Sequence, residues 1–381
     1  TAQDVAPGDN EPKKATELLA EVTGIFNEHV NIISGSKEHE PLDLFGTMEE
    51  YIESIGDDAA EIGPDAPYPI YQRLWGSFSP GDMSVYCARP KGSKSTFLMN
   101  MLEQCMEQDP DVACLMLDTE LETKRVQRRM VASMTGVNEF DLRTGIWRDN
   151  PSIAKKVREA WPKARAFTAR ISHIYAGGMT TPQMLSICRR WHHKHVLNTG
   201  KKALICLDYI KLGSVDLDNM GAMKDYQAVG KRVDQFKQLA TELQCHVLTA
   251  AQTNRSNEGR DVSTRRSDGA SIGLSDFISQ YASQIFLLEK LTDDQIALVG
   301  SMDYTHTLTC VYARNLGPEG AAPMVQYKDE RGKPRWTDNY VFYGIKNFRV
   351  EEKTDFRSVV SRSQSVATAV QAAKPKTEEL L

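Results

Sequence analysis

Lys94 and Ser95 stand side by side where a turn gives way to a helix. Ahead of them Met83 to Ala88 is an apolar run that reads as a buried strand, and Arg89, Pro90, Lys91, Gly92 and Ser93 form the turn. Behind them Phe97, Leu98, Met101 and Leu102 recur on one helical face. A strand, a tight turn, Lys-Ser and a helix make the layout of a phosphate-binding P-loop. The N–H groups of such a loop and of the helix start point at one place, and the helix dipole favours an anion there. The chemistry is nucleotide binding. The segment Ala88, Arg89, Pro90, Lys91, Gly92, Ser93, Lys94, Ser95, Thr96 wraps the phosphates; Lys94 reaches the β- and γ-phosphates of ATP, and the Ser95 hydroxyl sits on Mg²⁺.

The pattern G-x-x-x-x-G-K-[ST] asks for glycine at positions 88 and 93, where this chain has Ala88 and Ser93; Gly92 stands one place early. Ser93 must then take backbone geometry that glycine usually supplies, at a cost of order 1 kcal/mol or more. The plainer alternative is a core strand turning into a helix with Lys94 solvated. Other stretches weigh on the choice.

Positioning such a loop needs neighbouring strands with acids at their ends. Val112 to Leu117 is one, ending in Asp118-Thr119-Glu120, where Glu120 can polarise an attacking water or simply favour a helix N-terminus. Ala203 to Tyr209 is another: an apolar strand buried on both faces, with Asp208 at its end to hold Mg²⁺ or, more plainly, to cap a turn. Cys245 to Ala251 is a third, followed by Gln252-Thr253-Asn254-Arg255. Strands alternating with helices predict an α/β fold with a mainly parallel central sheet and its site along the C-terminal edge.

The remaining stretches frame this core. An amphipathic helix from Lys14 to Ile33 packs on its own domain or docks on a neighbouring subunit; the pattern fits both. A capping box at Thr47 opens a second helix. The acidic, Gly- and Pro-punctuated stretch 56–67 marks the main boundary, giving a helical segment over 1–67, an ATPase domain over 68–350 and a tail over 351–381. Helix Leu121 to Met134 carries Arg125, Arg128 and Arg129 as a solvated face. Short helices fill 136–170, and Ile171 to Ala176 is a strand. Thr181 caps a helix with Pro182 at its first position. That helix ends in Arg189 to His195, read as an exposed basic end rather than a metal site. Helices Tyr226 to Leu243 and Ser275 to Gln284, strand Thr307 to Ala313 and a hairpin turning at Arg331-Gly332 complete the domain. Two polar segments, Leu212 to Met223 with Lys224 beyond it, and Asn254 to Gly273 with Arg255, Arg260, Arg265 and Arg266, read as phosphate-contacting loops or as plain surface loops.

Composition narrows the class. At 41% hydrophobic and 25% charged, the chain has an ordinary globular profile rather than a disordered or membrane one. Its net charge of −5 argues against a general basic coat for nucleic acid, so any such contact is local. The seven cysteines are scattered without C-x-x-C, which points to buried thiols in a reducing compartment such as the cytoplasm. No run is long enough to span a membrane, and no membrane partner is expected.

In order, these stretches resemble the ATPase domain of the DnaB-type replicative helicases of helicase superfamily 4, in a phage or plasmid version. The likeness is carried by Phe78-Ser79-Pro80-Gly81-Asp82; Ala88-Arg89-Pro90 with Lys94 to Phe97 and Met99-Asn100; Ala132-Ser133; and Leu142 to Gly145. Thr181-Pro182, Asp208-Tyr209, Gln252 with Asn254 to Ser256, and Arg314-Asn315 continue it, so that it covers roughly residues 68 to 345. It departs at Ser93, where the family has glycine, and at Tyr312, where many members have lysine. The family's large N-terminal domain is reduced to the first 67 residues or absent, and no primase-like region is evident.

The resemblance implies a RecA-like fold, ATP and Mg²⁺ as cofactors, and a ring, a hexamer by analogy, that draws single-stranded DNA through its centre at a replication fork. Primase, a helicase loader or polymerase are the implied partners. It further implies that Lys94 binds phosphate, Ser95 and Asp208 bind Mg²⁺, and Glu120 activates water. Gln252 would sense the γ-phosphate, and Arg314 would act on the neighbouring subunit's ATP. Lys224, Arg255, Arg260, Arg265 and Arg266 would follow DNA phosphates. A recombinase-type filament and a nucleotide-bound ring with weak hydrolysis are the alternatives.

Overall fold

Strands that are apolar on both faces have to lie inside a sheet covered on both sides. The computed structural model of the protein describes residues 43, 45–46, 48–54, 63–167, 169–210, 225–253, 275–314, 325–328 and 332–362. Its strands are β1 (Met83–Ala88), β2 (Val112–Asp118), β3 (Ile171–Tyr175), β4 (Lys202–Asp208), β5 (His246–Gln252), β6 (Gln284–Lys290), β7 (His306–Ala313), β8 (Val325–Lys328), β9 (Pro334–Thr337), β10 (Val341–Lys346) and β11 (Arg349–Asp355). Its α-helices are α1 (Met48–Ser54), α2 (Pro69–Trp75), α3 (Lys94–Gln108), α4 (Thr123–Thr135), α5 (Glu139–Thr144), α6 (Pro151–Arg165), α7 (Thr181–His192), α8 (Asp225–Glu242), α9 (Ser275–Tyr281) and α10 (Asp293–Val299), with a further helical turn over 356–362. The chain divides into units 1–58 and 59–381. The described part of the first includes α1; all other elements belong to the second. The helix expected over Lys14 to Ile33 lies outside the described residues.

One nine-stranded sheet runs in the order β11-β10-β7-β6-β1-β5-β4-β2-β3. From β6 to β3 neighbouring strands are parallel, and β7, β10 and β11 add an antiparallel edge. The mainly parallel sheet expected from the alternation of strands and helices is therefore present. Every residue of β1 and β2 is buried. Along β1 the side chains alternate: Tyr86 and Ala88 join one core, Met83, Val85 and Cys87 the other. The first core is aromatic. Tyr86 stacks on Phe286 at 5.0 Å between centroids and shares a hydroxyl hydrogen bond of 2.9 Å with Tyr71. Helix α3 covers this face with Phe97, Leu98, Met101 and Leu102. Helix α8 covers the other with Val233, Phe236 and Leu239. All seven cysteines are buried, and none forms a disulfide. Among the described residues no helix is long and apolar enough to cross a membrane.

Several boundaries differ from those read in the sequence. Thr180, not Thr181, precedes the first turn of α7, and its N–H donates to Gln183 Oε1 at 2.9 Å. Pro182 is accordingly one place further in. Helix α9 stops at Tyr281, because Gln284 already belongs to β6. The hairpin β8–β9 forms its own two-stranded sheet, and it is β10 and β11 that complete the large one. Residues 351–355, assigned to the tail, are the end of β11. That strand lies at the sheet's edge and carries the charges Glu351, Glu352 and Lys353, which blunt an edge against further pairing but hide it from a hydrophobic pattern. Arg128 and Arg129 are more than a solvated face: Arg128 pairs with Glu139 at 2.9 Å and Arg129 lies 5.0 Å over Phe348.

Asn100 ties α3 to the β10–β11 turn. Its Nδ2 donates to Thr96 O and Phe348 O, and its Oδ1 accepts from Val350 N at 3.0 Å. Nearby Glu103 is 7% exposed and accepts a hydrogen bond from Ser133 Oγ at 3.2 Å. Burial pushes the Glu103 carboxyl up to about 7, and Glu107 adds to the rise. An unfolded glutamate titrates at about 4.3. The folded state therefore holds the extra proton between these values, so this group's contribution to stability falls as pH rises from about 4.3 to about 7 and stays reduced above. Glu103→Gln removes that penalty. In paired urea titrations the variant is expected to gain on the parent by roughly 1–3 kcal/mol between pH 5 and pH 8; an equal difference at both pH values would contradict this.

Candidate nucleotide-binding site

The parallel strands all end at one edge, and the order of the sheet decides which ends meet. Ala88 closes β1 and is in register with Gln252 at the end of β5. Beyond β5 lies β4, ending in Asp208, and beyond that β2, with Asp118 directly in register with Asp208. The loop 89–93 leaves this edge and enters α3.

The loop is tightly turned. Gly92 N–H donates to Arg89 O at 2.9 Å. Any Cβ at Gly92 would stand 2.8 Å from that same carbonyl, which only glycine avoids. Lys91 and Ser93 both adopt positive φ, 62° and 64°. Ser93 thus takes the left-handed geometry that its place in the motif demands, and its carbonyl already accepts the Phe97 N–H of α3 at 2.9 Å. The result is a set of main-chain donors converging at the N-terminus of a fifteen-residue helix, an arrangement suited to an anion. Arg89 and Pro90 are exposed on the rim, while Ala88 and Thr96 are buried.

Lys94 folds back across the loop. Its Nζ donates to Arg89 O at 3.4 Å and lies 5.6 Å over the Tyr209 ring. Burial pulls its pKa down, and the Asp208 and Glu120 carboxylates oppose that pull. Asp208 is 2% exposed. Burial pushes its carboxyl up to about 7 despite a hydrogen bond from Ser95; the charge of Asp118 adds to the rise and Lys94 counters it. Asp118 spends one oxygen on the N–H groups of Glu120, at 2.7 Å, and Leu121, at 2.6 Å. Asp208 Oδ1 and Asp118 Oδ2 are buried without a hydrogen-bond partner among the described residues.

Orphaned carboxylate oxygens beside a serine hydroxyl suit a hard divalent cation. Among the described residues no group of three or more His, Cys, Asp or Glu gathers as a metal cage. A cation here would therefore complete its shell with water and phosphate oxygens, the usual habit of Mg²⁺.

Lys94, Ser95, Asp208, Glu120 and Gln252 are thus brought to one edge. Glu120 is exposed, lies two residues beyond Asp118 and accepts a hydrogen bond from the Tyr209 hydroxyl. Arg314 is not among them. β7 runs antiparallel to β6, Ala313 is in register with Gln284, and Arg314 N–H donates to Ser283 O at 2.8 Å. Since Gln284 is also in register with Ser84, Arg314 sits at the start of β1 while Ala88 closes its other end. The two edges are about 17 Å apart along the strand. Arg314 is exposed, at the end of β1 opposite its own chain's phosphate loop.

Two residues escaped the sequence reading of the site. Asp118 was passed over for Glu120, although a strand-terminal acid was the available signal; its register with Asp208 was not. Tyr209, next to Asp208, bridges Lys94 and Glu120. Lys224, Arg255, Arg260, Arg265 and Arg266 lie outside the described residues, in segments 211–224 and 254–274 that follow β4 and β5.

Sheet order and loop geometry define an α/β domain with a P-loop-like turn and a RecA-like fold. The DnaB-like helicase C-terminal domain family matches residues 68–316, and the chain belongs to that family. The replicative DNA helicase DnaB of Buchnera aphidicola subsp. Schizaphis graminum is 26% identical over 265 residues, covering 66% of this chain and 53% of that protein. The DnaB of Haemophilus influenzae is 25% identical over 230 residues, 58% of this chain and 46% of its own length. The chain thus spans about half the length of the curated relatives it matches. Among solved structures, an ATPase domain superposes with a TM-score of 0.62 at 16% identity, over 82% of this chain and 99% of its own. A DnaB-like replicative helicase, described with its interactions with primase, gives 0.60 at 14% identity, over 88% and 76%. At these identities the two structures speak for the fold alone.

The geometry at Gly92 makes a direct test. Gly92→Ala drives a methyl group against Arg89 O and is expected to weaken nucleoside triphosphate binding roughly tenfold or more through lost main-chain contacts to charged oxygens. Equilibrium titration with a fluorescent triphosphate checks it; parent-like affinity would mean that this loop is not the cradle.

Proposed function

We propose that the protein is an ATP-driven replicative DNA helicase subunit that works as a ring on single-stranded DNA. The observation that carries this reading is the division of the catalytic set. Lys94, Ser95, Asp208, Glu120 and Gln252 meet at one edge of the sheet, and Arg314 sits at the other. An arginine there cannot serve its own loop, but a ring of identical chains would bring it to the next subunit's loop.

In this reading the loop N–H groups and Lys94 hold the β- and γ-phosphates of ATP. Ser95 and Asp208 would hold Mg²⁺, which would supply neutralisation of the phosphate charge. Glu120 accepts a proton from water as the water oxygen attacks the γ-phosphorus, and the bond to the ADP oxygen breaks. Asp118 fixes the start of the Glu120 segment through its two main-chain hydrogen bonds. Gln252, beside Ala88, lies where loss of the γ-phosphate can be felt and passed into segment 254–274. Arg255, Arg260, Arg265 and Arg266 in that segment, with Lys224 in the other, contact DNA phosphates without regard to sequence, so binding weakens with salt. A hexamer, action at a fork, the bacterial cytoplasm and a phage or plasmid source belong to the same proposal. So does a primase partner, for which the solved helicase described with primase is the precedent. A loader and a polymerase are further candidates. Over the domains, 68–350 supplies the motor and 1–67 the link between subunits.

The test is steady-state ATP hydrolysis with and without single-stranded DNA, beside Glu120→Gln and Arg314→Ala. Strong stimulation by DNA is expected in the parent. Losing the base should cost about 10²–10⁴ in rate, and losing the arginine about 10³–10⁵. A parent rate near zero that DNA leaves unchanged would overturn the motor and leave a nucleotide-bound ring. Full activity in the Arg314→Ala ring would overturn catalysis in trans.

A further inference from the structure

Away from the phosphate loop, a second polar cluster occupies the N-terminal edge of the parallel strands. Asp82 immediately precedes β1. Its Oδ1 accepts hydrogen bonds from Ser283 Oγ and, at 3.0 Å, from Lys237 Nζ. Lys237 reaches over from α8 and also donates to the Gly81 carbonyl. Ser283, just before β6, donates its N–H to Met83 O at 2.8 Å, and its own carbonyl accepts the Arg314 N–H at 2.8 Å. The Arg314 side chain is held as well. Its guanidinium donates to Gln280 O in the last turn of α9 and, through Nε at 3.4 Å, to the Tyr312 hydroxyl.

This is a built arrangement rather than a solvated ion pair. The Lys237 and Asp82 side chains are 20% and 17% exposed. Burial pushes the Asp82 carboxyl up, yet the bonds from Ser283 and Lys237 hold it below the usual range. Behind the pair His246 is buried, with Nδ1 2.9 Å from Ser79 O and Nε2 2.9 Å from Ser84 Oγ. Burial brings His246 down to about 4, so it stays neutral, while Lys237 is a cation on Asp82 Oδ1. Main-chain pairing already joins β1, β5 and β6, so register does not require the cluster. What it adds is a side-chain anchor for Ser283 beside the main-chain bond to Met83 O, and Ser283 is where the backbone of Arg314 is tied.

We propose that Lys237, Asp82 and Ser283 are positioning residues for Arg314, clamping its backbone so that the guanidinium is presented to a neighbouring copy of this chain. The clamp rests on the trans-acting role given to Arg314 above. Lys237 fixes the Asp82 carboxylate, the carboxylate fixes the Ser283 hydroxyl, and the Ser283 carbonyl fixes the Arg314 N–H. The phosphate loop at the other end of β1 is untouched by these contacts. A defect in the clamp should therefore lower kcat and leave KM for ATP unchanged.

The experiment is a double-mutant cycle on the full chain, read as single-stranded-DNA-stimulated kcat and KM for ATP. Arg314→Ala, Lys237→Met, Asp82→Asn and Ser283→Ala are made singly, and the last three also in the Arg314→Ala background. Melting temperature and oligomer size are followed throughout. Misplacement of a catalytic group by about 1 Å costs up to roughly 100-fold, so a kcat loss of about tenfold or more is expected in at least Lys237→Met and Asp82→Asn, with parental KM and assembly. In the Arg314→Ala background the same changes should cost nothing further. Full kcat in the single variants would overturn the clamp, as would an undiminished extra loss beside Arg314→Ala. A loss that accompanies dissociation of the oligomer in all three clamp variants would overturn it too, because it marks a structural role. If Arg314→Ala alone keeps full activity, the trans-acting arginine fails first and the clamp falls with it; if Arg314→Ala is impaired and the clamp variants are not, only the clamp fails.

Discussion

Two carboxylates buried side by side at the ends of adjacent strands set the terms for this molecule. Asp118 and Asp208 are in register, each keeps one oxygen without a partner among the described residues, and burial pushes both toward the protonated form. Such a pair is costly unless positive charge is brought to it. The surroundings answer that need in stages. Lys94 lies close enough to act on Asp208 through its charge, Ser95 donates a hydrogen bond, and the open oxygens leave room for a cation. The same crowding explains why Lys94 itself is buried and bent onto Arg89 O: its partners in a loaded site would be phosphate oxygens. In the proposed reading a Mg²⁺-nucleotide would satisfy these charges, and the site would then trade stability in isolation for binding.

β1 carries this constraint across the molecule. Its C-terminal end becomes the phosphate loop, and its N-terminal end abuts Asp82, Ser283 and, through Ser283, Arg314. Because all six residues of β1 are buried between two cores, the strand behaves as a stiff strut. One end would serve the subunit's own nucleotide and the other its neighbour's. A rigid link of this kind lets a change at one interface reach the next without a large movement inside the domain.

What was legible in the sequence follows from burial. β1, β2 and β4 announce themselves because strands hidden on both faces must be apolar throughout, and the acids closing β2 and β4 stand out against that background. The placing of Lys94 and Ser95 at the start of α3 was legible from the strand–turn–helix pattern. β11 was not, since an edge strand is charged by necessity and reads as a tail. Nor was the role of Asp118: choosing between it and Glu120 needs the register of β2 on β4, a non-local fact. The same holds for Arg314. Its distance from Lys94 depends on β7 running antiparallel to β6, which local pattern does not encode.

Ser93 shows how a departure from a motif can be absorbed. The residue sits at φ 64° and ψ 18°, in the left-handed region, where a side chain costs of order 1 kcal/mol relative to glycine. The cost is tolerable because the turn is secured on both sides. Gly92 closes it onto Arg89 O, and Ser93 O starts the hydrogen bonding of a helix packed along one face into the aromatic core. Gly92 has no such freedom, since its Cβ would meet a backbone oxygen that cannot move without opening the turn. The irreplaceable glycine of this loop is thus the one at 92, a place earlier than the motif asks. The loop keeps its turn through shape, with the identity of the residue at 93 secondary to the conformation it adopts.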